Sequence, residues 1–414
     1  MLALTARAVK ILLLLLLLGA VGVSGLRARE ITVVVDQPIF SPLPVRVPPL
    51  KGPPSEAPNL TRVLRQDLDL HLIFKVLKEP PLPGVSSQGY LISGQVETLS
   101  SGLRVTLELR DLLEGRVLLR RRFVGPPAAG PFMIHRFVDE AVKIMAGFPG
   151  VSYSQIAFVR RTPRGDELRL MYFDGRRQRV LYRAPIILSP RFSPDGRRLA
   201  LVSYDKGRPR VLLLDLTTGR LSVVAAFPGL NASPVWTPDG KHLVVTLSKD
   251  GSPDLYLLDL KGRVLRRLTR NEGINTGGSF SPDGHYLAFV SDRSGSPQIY
   301  LYDFFTGGTR RLTFSGRYNV SPSWSPTGQR LVFAGLRQGK FILFSMDPEG
   351  GEPLAISGEG SYEDPVVAPD GYYVLARGKG PQGRGLYLFL INGAVKKLYL
   401  RASDLVDFDW GRLP

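Results

Sequence analysis

Histidine, serine and carboxylate side chains are the groups in this sequence that could do chemistry, and their spacing decides whether they assemble. The four histidines, His71, His135, His242 and His285, are scattered, and none has a second ligand at the helical or hairpin spacing on which a metal centre draws. They are expected to be structural or surface residues. Around Ser279 the chain reads Gly277-Gly-Ser279-Phe-Ser281, which is not the Gly-x-Ser-x-Gly elbow that exposes a hydrolase nucleophile. Asp404, Asp407 and Asp409 lie close together but lack the glycine and closing glutamate of a calcium loop. No Gly-x-x-x-x-Gly-Lys or Gly-x-Gly-x-x-Gly run occurs, so no phosphate cradle is expected. Nucleophile, base and oxyanion donors do not come together in the sequence. The expectation is a binding protein with no catalytic residues, metal or cofactor.

The elements that would carry a binding surface are written in a repeat. Ser193-Pro-Asp-Gly196, Thr237-Pro-Asp-Gly240, Ser281-Pro-Asp-Gly284, Ser325-Pro-Thr-Gly328 and Ala368-Pro-Asp-Gly371 start 44, 44, 44 and 43 residues apart. Phe192, Trp236, Phe280, Trp324 or Val367 precedes each turn, and Trp410 falls 43 residues after Val367. A second register agrees: Asp174, Asp215, Asp259, Asp303 and Asp347 each close a strand-like run, with Asn392 in the sixth place. Proline presets φ and glycine supplies positive φ, so these are turns with a mechanism. Four short strands in such a period are one blade of a β-propeller. Residues 156–160, 168–174 and 178–182 supply three strands of a unit without its first, and residues 406–410 supply a first strand alone. Placed together they complete a sixth blade and leave no open sheet edge. The fold class is therefore an all-β six-bladed β-propeller, residues 151–414, preceded by a small α+β domain, residues 26–150. The residue before each turn is expected to pack between blades.

Ahead of the ring, residues 37–58 are proline-rich and expected to be extended. Residues 60–77 carry apolar side chains at near-helical spacing. Residues 90–97, 103–109 and 117–123 alternate as strands, and 132–145 read as a second helix ended by Gly147 and Pro149. At the N-terminus, Arg7 and Lys10 precede an apolar run from Ile11 and then Ser24 and Gly25, the order of a secretory signal. Residues 1–25 are expected to be that signal, with cleavage after Gly25 or Ala28. The absence of cysteine excludes a disulfide framework and an N-terminal lipidated cysteine. A formal charge of +18 favours anionic partners. For an exported protein these are headgroups, cell-wall polymer or an acidic protein, and not nucleic acid.

Propellers bind through the loops at one end of the ring. Those entering each first strand read Leu230-Asn-Ala-Ser233, Ile274-Asn-Thr276, Tyr318-Asn-Val-Ser321 and Ser361-Tyr-Glu-Asp364. Asparagine, serine and threonine around aromatic anchors suit an adaptable interface, although asparagine and serine also simply make turns. A rival expectation is an exported propeller enzyme, or a sugar- or peptide-binding protein, with its site in the central channel.

An α+β segment followed by these blades, with the stretches "RVLYRAPIILSPRFSPDGRRLALVS", "AAFPGLNASPVWTPDGKHLVVTLSKDGSPDLYLLDL", "HRFVDEAVKIMAG" and "FDWGRLP", resembles the TolB family of periplasmic Tol-Pal proteins. The resemblance implies a non-catalytic adaptor in the periplasm that takes part in envelope integrity and cell division. Its propeller would bind the lipoprotein Pal through Leu230, Asn231, Ser233, Asn275, Thr276, Ser279, Asn319, Ser321, Tyr362 and Glu363. Its N-terminal strand, Glu30, Ile31, Thr32, Val33, Val34, Val35, Asp36 and Gln37, would engage TolA of the inner membrane. Leu230 stands where relatives have histidine, and Gly277-Gly278 replaces a proline-containing turn.

Overall fold

The computed structural model describes residues 41–79, 88–270 and 273–414. The expected signal and the strand from Glu30 to Gln37 lie outside these residues. Among the described residues the N-terminal region is a five-stranded sheet with two helices. Strands β1 (Leu43–Arg46), β2 (Phe74–Leu77), β3 (Tyr90–Leu99), β4 (Gly102–Asp111) and β5 (Val117–Gly125) are ordered β2-β1-β3-β4-β5. On β4 the alternate residues Leu103, Val105, Leu107 and Leu109 are buried, the period-2 pattern of a sheet with one covered face. Helices α1 (Ala57–Leu70) and α2 (Gly130–Ala146) share one apolar core with that face.

Two sequence expectations need correction here. The described part of the proline-rich stretch is extended at β1, but its last residues depart from that expectation and begin α1, where Pro58 is tolerated since its missing N–H would be unpaired anyway. The helix expected to reach Leu77 stops at Leu70. Leu72 takes φ 59°, and residues 74–77 instead pair in parallel with β1. Sheet pairing overrides a periodicity that both helix and strand can satisfy over so few residues.

From residue 154 the chain forms six four-stranded antiparallel sheets. The first blade is assembled from both ends of the ring: β6 (Ser154–Thr162), β7 (Gly165–Tyr172) and β8 (Arg179–Ala184) are joined by Leu405–Arg412, the closing strand, which pairs antiparallel with β6. Trp410 lies opposite Ile156. Its ring stacks on Phe173 at 5.1 Å and its Nε1–H donates to Ser154 Oγ at 2.8 Å. The Gln155 amide donates across the seam to the carbonyls of Arg412 (2.9 Å) and Gly196 (3.0 Å).

The other five first strands are Ile187–Phe192, Asn231–Trp236, Asn275–Phe280, Asn319–Trp324 and Ser361–Val367. Apolar layers separate successive blades, and Phe192, Trp236, Trp324, Val367 and Trp410 are buried in them, with Phe280 half-buried. Because strands alternate in direction, connections alternate between the two ends of the ring. The Pro-Asp-Gly turns lie at one end together with the outer turns headed by Asp215, Asp259 and Asp303, whose carboxylates accept backbone N–H bonds two to four residues on. This is the turn end. The loops entering each first strand lie at the other, the loop end.

The N-terminal region sits against the turn end, over the seam. Tyr373 Oη donates to the His71 carbonyl at 2.7 Å, Phe148 stacks on Tyr372 at 4.3 Å, and Gln66 donates to the Asp174 carbonyl at 2.8 Å. Its core is continuous with the layer that holds Trp410 and Phe408.

Candidate partner-binding site

The six first strands surround a channel of about 730 Å³. At its loop-end mouth Ser189, Ser233, Gly277, Ser321, Asp364 and Asp407 occupy equivalent places, one per blade. The first five have φ between 48° and 64°, and the ladder slips there in each of those blades. Four of the five precede a proline, which has no N–H to give the ladder, so the strand bulges. A left-handed serine or aspartate is costly and persists only where its surroundings over-determine it. The repeated bulge aims short polar side chains at the mouth. Ser321 Oγ donates to Asp364 at 2.8 Å, and Ser233 Oγ lies 3.4 Å from Thr276 Oγ1.

Charge in the channel is concentrated at the seam. Asp409 accepts from the Phe192 N–H at 2.7 Å and Asp407 from the Ser189 N–H at 2.8 Å, tying the closing strand to the next blade. Burial pushes the Asp409 carboxyl up to about 6, against the lowering pull of Arg191 and the Phe192 N–H. Asp407 is raised by the same burial. Arg377 binds Asp364 at 2.7 Å. Asp404 does not converge with these acids: it pairs with Arg160 at 2.7 Å.

The residues singled out from the sequence divide into two groups. Ser233, Thr276, Ser279 and Ser321 line the channel, with Ser279 Oγ accepting from the Trp324 N–H at 2.9 Å. Asn231, Asn275 and Asn319 are fully buried, and their side chains clamp the entering loops: Asn231 to Phe227, Asn275 to Asp254 at 2.9 Å, Asn319 to Gln298 at 2.7 Å. Tyr362 is also fully buried, packed edge-on to Tyr387 and Phe389. These four therefore shape the site from behind and do not present their side chains at the mouth. Leu230 is half-buried and held by its N–H to Ser248 Oγ; Glu363 lies 3.4 Å from Arg377. Ile274, Tyr318 and Asp364, which the sequence places in the entering loops but not among the Pal-facing residues, also line the channel. Their place next to each asparagine or bulge, one per period, was the available signal.

A second cluster lies under the N-terminal region. His135 on α2 places Nδ1 2.6 Å from Asp67 of α1 and Nε2 3.6 Å from Asp174 of the first blade. Three ligand-capable atoms lie within 4.8 Å of one another here, yet each ring nitrogen faces a different carboxylate. The imidazole bridges the two acids. Burial alone would lower its pKa, but the carboxylates of Asp67 and Asp174 outweigh that and hold it above the ordinary value.

Beside it, Asp370 stands in the one turn where alanine, Ala368, replaces the hydroxyl residue. In the others Ser193, Thr237 and Ser281 each donate to the turn aspartate at 2.5 to 2.6 Å. Asp370 Oδ2 is buried with no partner among the described residues. Burial first, and then Asp139, push its carboxyl up to about 7; burial raises Asp139 itself to about 6. Both folded values exceed the ordinary 3.8, so stability is greatest with both protonated and falls as pH rises through about 6 and 7. Asp370→Asn is expected to raise the melting temperature at alkaline pH by roughly 2–4 °C for each kcal/mol recovered. The gain should shrink through mild acid and vanish only near pH 3.8, where the carboxyl is protonated folded and unfolded alike, as thermal denaturation across pH would show.

The closed ring, its blades and its bulged mouth define a six-bladed β-propeller protein. The family model for PD40, the TolB beta propeller domain, matches residues 142–413, and the chain belongs to that family. It is 30% identical over 225 residues to the Tol-Pal system protein TolB of Actinobacillus succinogenes, covering 49% of this chain and 53% of that one. It is 36% identical over 228 residues to that of Syntrophus aciditrophicus, covering 48% and 50%. The chain thus spans about half the length of these curated relatives in the matched region. The crystal structure of TolB from Acinetobacter baumannii superposes with a TM-score of 0.81 at 26% identity, covering 90% of this chain and 97% of that one. Among the described residues no helix is long and apolar enough to cross a membrane.

Proposed function

We propose that this chain is a non-catalytic periplasmic adaptor of the Tol-Pal system, acting in envelope integrity and cell division. The loop-end mouth binds the lipoprotein Pal, and Glu30 to Gln37 pair with a strand of TolA through main-chain hydrogen bonds, a mode open to extended segments. The observation that carries the reading is the polarity of the ring. The N-terminal region occupies the turn end, while the loop end keeps an open concave mouth with exposed Ile274 and Tyr318 at its rim. Aromatic and aliphatic anchors around a polar pocket are where binding energy concentrates.

The test is binding of the soluble domain of Pal from the same genome. Tyr318→Ala and Ile274→Ala are each expected to weaken it by about 1–3 kcal/mol, up to roughly a hundredfold in Kd, with unchanged melting. Deleting residues 26–37 should abolish TolA binding and spare Pal. If Pal is not retained while a sugar or peptide is turned over, the adaptor reading is wrong and the channel-site rival takes its place.

A further inference from the structure

We propose that the loop end of the ring docks onto an acidic protein surface. This rests on the adaptor reading and adds the chemistry of the partner. Two hairpins of the loop end differ from the turn end in how their charge is balanced. At the turn end the repeat itself supplies carboxylates, Asp195, Asp239 and Asp283 in the inner turns and Asp215, Asp259 and Asp303 in the outer ones, which offset the neighbouring arginines and lysines.

At the loop end two adjacent blades do the opposite. The hairpin of strands Leu331–Arg337 and Lys340–Met346 sets Arg337 opposite Lys340, and that of Tyr373–Gly380 and Gly383–Leu390 sets Lys379 opposite Arg384. Like charges directly opposite across a sheet repel, so neither pair holds its hairpin together. Lys340, Lys379, Arg384 and the nearby Arg401 are exposed, and the carboxylates Glu363 and Asp364 are taken by Arg377. Among the described residues these four cations form no ion pair, with Glu359 the exposed carboxylate in the loop between the two blades. Two hairpin tips thus carry positive charge at a cost to their own pairing.

The occupant follows from shape as well as charge. These cations stand at the same end of the ring as a concave mouth of about 730 Å³ whose rim exposes Ile274 and Tyr318, with Phe314 in the same loop as Tyr318. A flat lipid surface meets the tips but leaves the mouth and its apolar rim unfilled. A protein with a projecting apolar segment and acidic surroundings satisfies both, the arrangement in which charge steers encounter and the apolar centre holds.

The test uses the double variant Lys340→Glu, Lys379→Glu. Each substitution converts a like-charged cross-strand pair into an opposite-charged one, so its melting temperature should equal or exceed the parent's. The control carries Lys241→Glu, Lys261→Glu at the turn end. Association with the soluble Pal domain is expected to slow roughly tenfold for the loop-end variant, with the control unchanged and the parental on-rate falling with salt. Equal on-rates for all three proteins overturn the proposal. If the Pal domain binds none of them, the adaptor reading fails separately, and poly-L-glutamate becomes the probe: retention by parent and control but not by the loop-end variant supports an acidic polypeptide partner. No polyglutamate binding, or equal binding by all three, overturns it. So does loop-end-dependent binding to phosphatidylglycerol-containing vesicles, over phosphatidylcholine alone, without polyglutamate binding.

Discussion

Deleting residues 405–414 is expected to abolish cooperative unfolding of the propeller, the largest effect any short change in this chain should have. The closing strand pairs with β6 from Leu405 opposite Arg160 to Arg412 opposite Ser154. Without it β6 becomes a naked edge, the hazard that ring closure removes. The loss is not confined to hydrogen bonds. Phe408 and Trp410 leave the apolar layer that the ring shares with α1 and α2, and the Ser189 and Phe192 N–H groups lose Asp407 and Asp409. Trp410→Ala alone should cost about 3–5 kcal/mol, the usual range for emptying a large aromatic site in a core. Denaturant melts followed by far-ultraviolet circular dichroism read both. A truncated chain that melts as sharply as the parent would show that the seam is not what holds the ring.

The second large effect is at His135. His135→Leu leaves Asp67 and Asp174 buried without the imidazole between them, and breaking a buried pair by removing one member typically costs about 3–5 kcal/mol. His135→Gln keeps polarity but not charge and separates the ionic contribution. The folded pKa of His135 is raised above its ordinary 6.5, so its contribution is fully present below that value and is lost as pH rises through the folded one. Parental stability should therefore decline on the alkaline side, and His135→Gln should flatten that decline while lowering stability in mild acid. Because α1, α2 and the first blade meet at this residue, hydrogen exchange should rise first in α1 and α2. A variant as stable as the parent at pH 6 would contradict the bridged-ion account.

What was readable in the sequence follows its periodicity. Six blades, the inward packing of Trp236 and Trp324, and the completion of the first sheet by Trp410 all come from markers that recur at one interval, because every unit faces the same packing problem. Residues 90–97, 103–109 and 132–145 were also legible, since alternation and helical spacing persist there for several turns or strand lengths. The failures lie where the signal is short or non-local. Leu72 and Val76 fit a helix as well as a strand, and only β1, far away in the chain, decides between them. Asn231, Asn275 and Asn319 look like exposed hydrogen-bonding groups, yet each is buried and closes its own loop from within by donating to the carbonyl of Phe227, Gly273 or Ser315. The Asp67–His135–Asp174 bridge joins three elements with no common spacing, so nothing in the order of residues announces it.

The assignment of the loop end as the binding face can be tested most directly by hydrogen–deuterium exchange with and without the soluble Pal domain. Protection is expected in residues 226–236, 273–280, 314–323 and 360–367, where the entering loops and bulged first strands form the mouth, with the Pro-Asp-Gly turns unchanged. Protection confined to residues 193–198, 237–242 and 281–286 at the opposite end would contradict it.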